Sequence, residues 1–101
     1  MNKETIENKN NFESKIKNNL NVLVCIPAYN AESTISQAVK CCQEFADLVL
    51  VINDGSSDNT ELLAREAGAE IVTHKQNRGY GGAIKTSLTE GLNRNAKVTI
   101  T

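Results

Sequence analysis

Two short, mainly apolar runs, LNVLVCI at Leu20–Ile26 and DLVLVIN at Asp47–Asn53, constrain this chain more than any other feature. Neither alternates apolar with polar residues, so neither suits a sheet with one face in water. Short runs this rich in Val, Ile and Leu read as strands buried on both faces, the signature of a parallel sheet. Parallel neighbours need a crossover connection. The intervening Ala31–Phe45 provides one, placing Ile35, Ala38, Val39, Cys42 and Phe45 at helical spacings.

The alternation continues. Asp54–Asn59 reads as a turn, Asp58 and Glu61 as a capping pair opening a helix to about Ala67, and Gly68 as its stop. Glu70–His74 is a third strand, shorter and more polar, as an edge strand would be. After the loop Lys75–Arg78, a helix runs from about Tyr80 to Arg94 with Ala83, Ile84, Leu88 and Leu92 along its apolar face, and Lys97–Thr101 begins a fourth strand. Strands alternating with helices predict an α/β, Rossmann-like parallel sheet with helices on both faces. The pattern starts only at Leu20. Met1–Asn19, dominated by Asn, Lys and Glu, reads as a polar, disordered lead-in, so residues 1–19 are set apart from a domain over 20–101. That domain is expected to be incomplete, ending inside its fourth strand.

Charge and composition exclude several partners. A net charge of −1 and the lack of Trp argue against nucleic acid or an anionic surface. Cys25, Cys41 and Cys42 form neither a disulfide framework nor a zinc motif, and read as small buried hydrophobes in a reducing compartment. No stretch reaches the ~20 apolar residues of a membrane-spanning helix.

In open parallel sheets, ligands bind beyond the carboxyl ends of the strands, where strand order reverses. Polar segments follow the apolar runs directly: Pro27-Ala28-Tyr29-Asn30-Ala31-Glu32, Asn53-Asp54-Gly55-Ser56-Ser57-Asp58 and Asn77-Arg78-Gly79-Tyr80-Gly81-Gly82. Asp54 has two readings. It accepts a ligand N–H, such as the imide of uracil or the N1/N2 edge of guanine, or it caps the Gly-Ser-Ser turn. Arg78 suits a diphosphate, and the glycines after it open a helix whose N–H groups favour anions. Tyr29 offers a ring for stacking or for sealing the sheet. His74, the only histidine, has no partner legible in the sequence and receives no role. The glycine spacing is not that of an NAD-type fold.

The succession VCIPAYNAESTI, VLVINDGSSDNT and HKQNRGYGGAIKTSL resembles the family 2 glycosyltransferases, in particular the polyprenyl-phosphate branch that includes dolichol-phosphate mannose synthase. The resemblance runs from about Asn21 to Thr101. It implies a GT-A fold and a nucleotide-diphosphate sugar donor, UDP- or GDP-linked. By position, Pro27, Ala28 and Tyr29 would line the base and ribose pocket, and Glu32 would lie near the ribose or base. Family members often carry that acid directly after the Asn, whereas here Ala31 intervenes. Asp54 would read the base, and Arg78 and Gly79 would approach the nucleotide and sugar. The family's Mg²⁺ or Mn²⁺ ligands, an Asp-x-Asp motif, are expected after Thr101, with the general base and acceptor pocket further on. The resemblance thus implies inverting transfer to a polyprenyl phosphate or glycan, at a cytoplasmic location or the cytoplasmic face of a membrane, with no catalytic or metal-binding residue in these 101 residues and no activity for them alone. The alternatives are a sugar-phosphate nucleotidyltransferase, whose phosphate loop PAYNAE does not match, and a non-catalytic nucleotide-binding fragment.

Overall fold

The structure, a computed structural model, describes residues 20–101, so the reading of 1–19 lies outside the described residues. Among the described residues four strands and three helices alternate: β1 (Val22–Ala28), α1 (Ile35–Cys42), β2 (Leu48–Asn53), α2 (Thr60–Glu66), β3 (Glu70–Thr73), α3 (Gly79–Asn93) and β4 (Val98–Ile100). All pairings are parallel and the strand order is β3-β2-β1-β4. The order therefore reverses between β1 and β4, which puts the ligand crevice beyond the end of β1.

The two faces of β2 show why Leu48–Ile52 is apolar without a break. Val49 and Val51 pack with Ile35, Val39 and Ala64 under α1 and α2. Leu50 and Ile52 pack with Leu23, Cys25 and Ala83 under α3. Helices thus cover both faces, as the runs predict.

Several local expectations are corrected. Helix α1 starts at Ile35 rather than Ala31, because Asn30 takes a left-handed conformation (φ 50°) and Ala31 N–H is held by Thr60 Oγ1 (2.8 Å). Phe45 falls beyond the helix end and is 59% exposed, outside the stripe assigned to it. Asp58 and Glu61 do not form a capping box. Asp58 Oδ1 accepts Thr60 N–H (2.9 Å), while Glu61 turns to Arg65, Thr73 and Asn53. Of the cysteines, Cys25 is buried, Cys42 half-buried and Cys41 exposed. Leu88 and Leu92, placed on the core face of α3, are 53% and 80% exposed; Ala83, Ser87 and Gly91 are buried instead. A Cβ on Gly91 would lie 2.2 Å from Thr99 Oγ1, so α3 rests too closely on the sheet for large side chains to fit between.

Candidate functional site

The loops after β1, β2 and β3 share the carboxyl edge of the sheet and are sewn together by hydrogen bonds. Between the first two, Asn30 N–H donates to Ser56 Oγ (2.9 Å) and Ser57 N–H to Asn30 Oδ1 (2.9 Å). Glu32 N–H donates to Asp58 Oδ2 (3.2 Å), and Asn59 N–H returns a bond to Glu32 Oε1 (3.2 Å). The turn after β2 is capped by Asn53, whose Oδ1 accepts Ser56 N–H (3.2 Å).

Asp54 is therefore free of that turn, and it binds the third loop. Its Oδ1 accepts Arg78 N–H (2.8 Å) and faces His74 Nδ1 (2.8 Å); its Oδ2 accepts Gly79 N–H (2.9 Å), which Asn77 Oδ1 shares (2.9 Å). Gly55 lets the backbones meet. It sits at φ +79°, and a Cβ there would come within 2.9 Å of Asn77 N. Burial alone would raise the Asp54 pKa, but the Arg78 N–H, His74 and the Gly79 N–H together hold it below the usual carboxylate range. An ionised carboxylate only accepts, so His74 Nδ1 is the donor in this pair. Nε2 faces Thr86 Oγ1 at 2.8 Å.

His74 is only 3% exposed, bonded at both nitrogens, and so corrects the expectation of a histidine without a partner. Only the pairing of the strands reveals it. The β2–β3 register pairs Asn53 with Thr73, so the next position on each strand brings Asp54 beside His74.

Pro27, Ala28, Tyr29, Asp54 and Gly79 line one open pocket of about 260 Å³, together with Asn77, Tyr80 and Ala83. Five of the seven candidate residues thus converge. Glu32 points instead to the start of α2. The Arg78 side chain lies over Gly82, whose missing Cβ would fall 2.5 Å from Arg78 Cβ, and it lines a separate groove with Lys85, Thr86 and Thr89. Arg78 serves the pocket through its backbone N–H. Tyr29 and Tyr80, 55% and 72% exposed, stand at the rim, and Tyr80 and Asn77 are pocket residues that motif reasoning did not single out.

Among the pocket-lining residues Asp54 is the one acid, and among the described residues no three His, Cys, Asp or Glu side chains converge as a metal site would require. The described residues therefore do not by themselves fit a divalent ion. No helix among them is long and apolar enough to cross a membrane.

The acids of these loops give a pH dependence with a defined sign. Asp58 is held low first by the Thr60 hydroxyl and Glu61 first by Arg65, as Asp54 is by its donors. A depressed folded-state pKa contributes stability above the unfolded value, roughly 4, that is lost as pH falls through the folded value. The urea midpoint is expected to stay level from pH 7 to about 5 and to fall below about pH 4. A midpoint that rises on acidification would contradict these assignments.

Comparison with known proteins bears on the family and the fold. The protein-family model described as Glycosyl transferase family 2 matches residues 23–90. An uncharacterized protein of Methanocaldococcus jannaschii is 33% identical over 95% of this chain and 40% of its own length. A UDP-N-acetylglucosamine–dolichyl-phosphate N-acetylglucosaminyltransferase of Methanococcus voltae is 30% identical over 79% of this chain and 39% of its own. Among solved structures, glucosyl-3-phosphoglycerate synthase of Mycobacterium tuberculosis, in complex with Mn²⁺, UDP and glucosyl-3-phosphoglycerate, superposes with a TM-score of 0.63 at 28% identity, covering 77% of this chain and 31% of that one. The chain thus spans about 40% of the length of the two curated relatives named here.

Proposed function

The chain belongs to glycosyl transferase family 2, and from that premise we propose that residues 20–101 form the donor-binding part of a glycosyltransferase. The pocket takes the base and ribose of a nucleotide-diphosphate sugar, which the full enzyme transfers with inversion to a polyprenyl phosphate or glycan. One observation carries this reading: Pro27, Ala28, Tyr29, Asp54 and Gly79 converge on a single pocket at the carboxyl edge of the sheet, where open α/β sheets bind their ligands. The GT-A architecture and the UDP and Mn²⁺ held by a structural neighbour support it.

The roles follow from the chemistry of each group. The Tyr29 ring, exposed at the rim, stacks on the base. Asp54 accepts a base N–H. Ala28, with no bulk beyond Cβ, leaves room for the ribose. The first turn of α3 has backbone N–H groups without intrahelical partners, and these favour the anionic diphosphate. No residue here is assigned to chemistry at the sugar carbon. A metal ion bound elsewhere in the enzyme would supply charge for the departing nucleoside diphosphate. The chain alone is expected to bind donor nucleotide without transferring sugar. The nucleotidyltransferase alternative loses ground, because the loop after β1 is bonded to Ser56, Ser57 and Asp58 and has no run of open glycines.

The test is an NMR titration of the chain with UDP, GDP, CDP and dTDP, with and without Mg²⁺. Amide shifts confined to Tyr29, Asp54, Gly79 and Tyr80 are expected for at least one nucleotide, with or without metal. Tyr29→Ala should weaken that binding by about 1–3 kcal/mol and leave the urea midpoint unchanged. If no nucleotide perturbs these amides while the spectrum stays well dispersed, the proposal fails.

A further inference from the structure

The net charge of −1 conceals a division along the chain. Residues 20–70 carry two cations and eight acids, whereas Ile71–Thr101 carry five cations and one acid, Glu90. The acidic part supplies α1 and α2 and the basic part supplies α3, so the two faces of the sheet differ in sign. Arg94 is spent on Glu70 (3.0 Å) and Glu90 (3.1 Å). Among the described residues, Lys75, Arg78, Lys85 and Lys97 have no ion-pair partner.

Two of these cations share a groove. Arg78 and Lys85 line it with Gly82, Thr86 and Thr89; it measures about 370 Å³ and has no acid in its wall. None of the five lines the pocket that holds Tyr29 and Asp54. The fold puts Arg78 there. Its N–H is fixed on Asp54 Oδ1, and its stem lies on Gly82, where Cγ and Cδ are each 3.6 Å from the place a Cβ would take. Lys75 lines an adjoining groove that also meets Arg78. The threonines are already engaged: Thr89 Oγ1 donates to Lys85 O (2.9 Å), and Thr86 Oγ1 lies between Gly82 O (3.1 Å) and His74 Nε2 (2.8 Å). The guanidinium and the ammonium are thus the side-chain donors left for a ligand.

We propose that this groove is a phosphate-group site separate from the nucleotide pocket, in which Arg78 and Lys85 together hold a phosphate ester, carried by a soluble molecule or by a lipid headgroup. A guanidinium meets two phosphate oxygens at once, and an ammonium adds a point charge. A cleft walled by one sign of charge concentrates its counter-ion. The ligand also ties the third loop from outside, because the residue whose side chain it fixes is the residue whose N–H holds Asp54. The inference does not depend on what the pocket binds.

NMR titration of the chain with inorganic phosphate, and with chloride at the same ionic strength, tests it. Phosphate should shift the Gly82, Lys85 and Thr89 amides and the Arg78 Nε–H saturably, about tenfold more tightly than chloride, while the Tyr29 amide stays still. Lys85→Gln and Arg78→Gln should each weaken phosphate about fivefold, the upper range for an exposed ion pair, and Lys85→Arg should restore it. Lys97→Gln removes the same charge at the opposite edge of the sheet, where its N–H meets Leu20 O, and should leave the affinity unchanged. Glycerol phosphate and phosphatidylglycerol vesicles separate the sources. Cosedimentation with the vesicles that Lys85→Gln abolishes assigns the site to a headgroup. Binding of glycerol phosphate without cosedimentation assigns it to a soluble phosphate ester.

If phosphate and chloride shift these amides alike, or Lys97→Gln costs as much as Lys85→Gln, the charge is a diffuse field and the proposal is overturned. Nucleotide shifts at Tyr29 and Asp54 would stand untouched by that failure. The wild-type comparison of the two anions decides the question even where a variant fails to fold.

Discussion

Replacing Asp54 with Ala should cost about 2–6 kcal/mol of folding stability and abolish nucleotide binding. The substitution strips the partner from the Arg78 N–H and from His74 Nδ1 at once, and leaves the Gly79 N–H to Asn77 Oδ1 alone. Each donor left unsatisfied in a buried place costs about 1–3 kcal/mol, and Asp54 is only 4% exposed. Small domains are stable by about 5–15 kcal/mol in total, so the variant should be marginal at 25 °C. Asp54→Asn should fall between, because its Oδ1 still accepts while its amide meets another donor. Urea unfolding of the three proteins checks the order. If Asp54→Ala shifts the midpoint no more than the rim substitution Tyr29→Ala, the carboxylate is not holding the third loop. The acid limb of the stability profile should also shrink in Asp54→Ala, since one of the groups behind it is gone.

Asp54 shows both what a sequence displays and what it hides. Its position at the end of a buried apolar run places it at the carboxyl edge of the sheet, and that much is legible from the run alone. Its partners are not. His74, Arg78 and Gly79 lie twenty or more residues away in the chain and become neighbours only through the β2–β3 pairing and the close pass of Gly55 against Asn77. The same limit applies to Arg78. Its charge is visible in the sequence, but its direction depends on the bare Cα of Gly82 beneath it. Glu32 and Asp58 sit near the site in sequence, yet they tie two loops to each other. Strands β1 and β2 read clearly because both of their faces are buried, which leaves Asn53, at the end of β2, as their only polar residue. The core face of α3 misleads for the opposite reason: closeness, rather than hydrophobicity, selects its residues.

That closeness makes two glycines of the same helix respond oppositely to one substitution. Gly81 and Gly91 both lie in α3, and an added Cβ meets nothing within 4 Å at the first. Gly81→Ala should therefore stabilise by about 0.5–1 kcal/mol, the ordinary gain from removing a glycine's backbone freedom within a helix. At Gly91 the new atom would lie 2.2 Å from Thr99 Oγ1 and 3.2 Å from both Thr99 Cβ and Cγ2, so rotating the threonine does not clear it. Either α3 lifts from the sheet or β4 slides along β1. Gly91→Ala should lose stability despite its better helix propensity, and Gly91→Leu should lose about 3 kcal/mol, the upper range for overpacking a close-fitted core. Amide exchange locates the damage. Val98, whose N–H donates to Asn21 O at 2.8 Å, should lose protection in Gly91→Leu while Val51 keeps it. Because β4 borders the crevice where the strand order reverses, the same variant should weaken nucleotide binding although Gly91 lines no part of the pocket. A Gly91→Leu protein with wild-type stability would show that the stripe of Ala83, Ser87 and Gly91 does not set the helix–sheet distance, and the exposure of Leu88 and Leu92 would then need another cause.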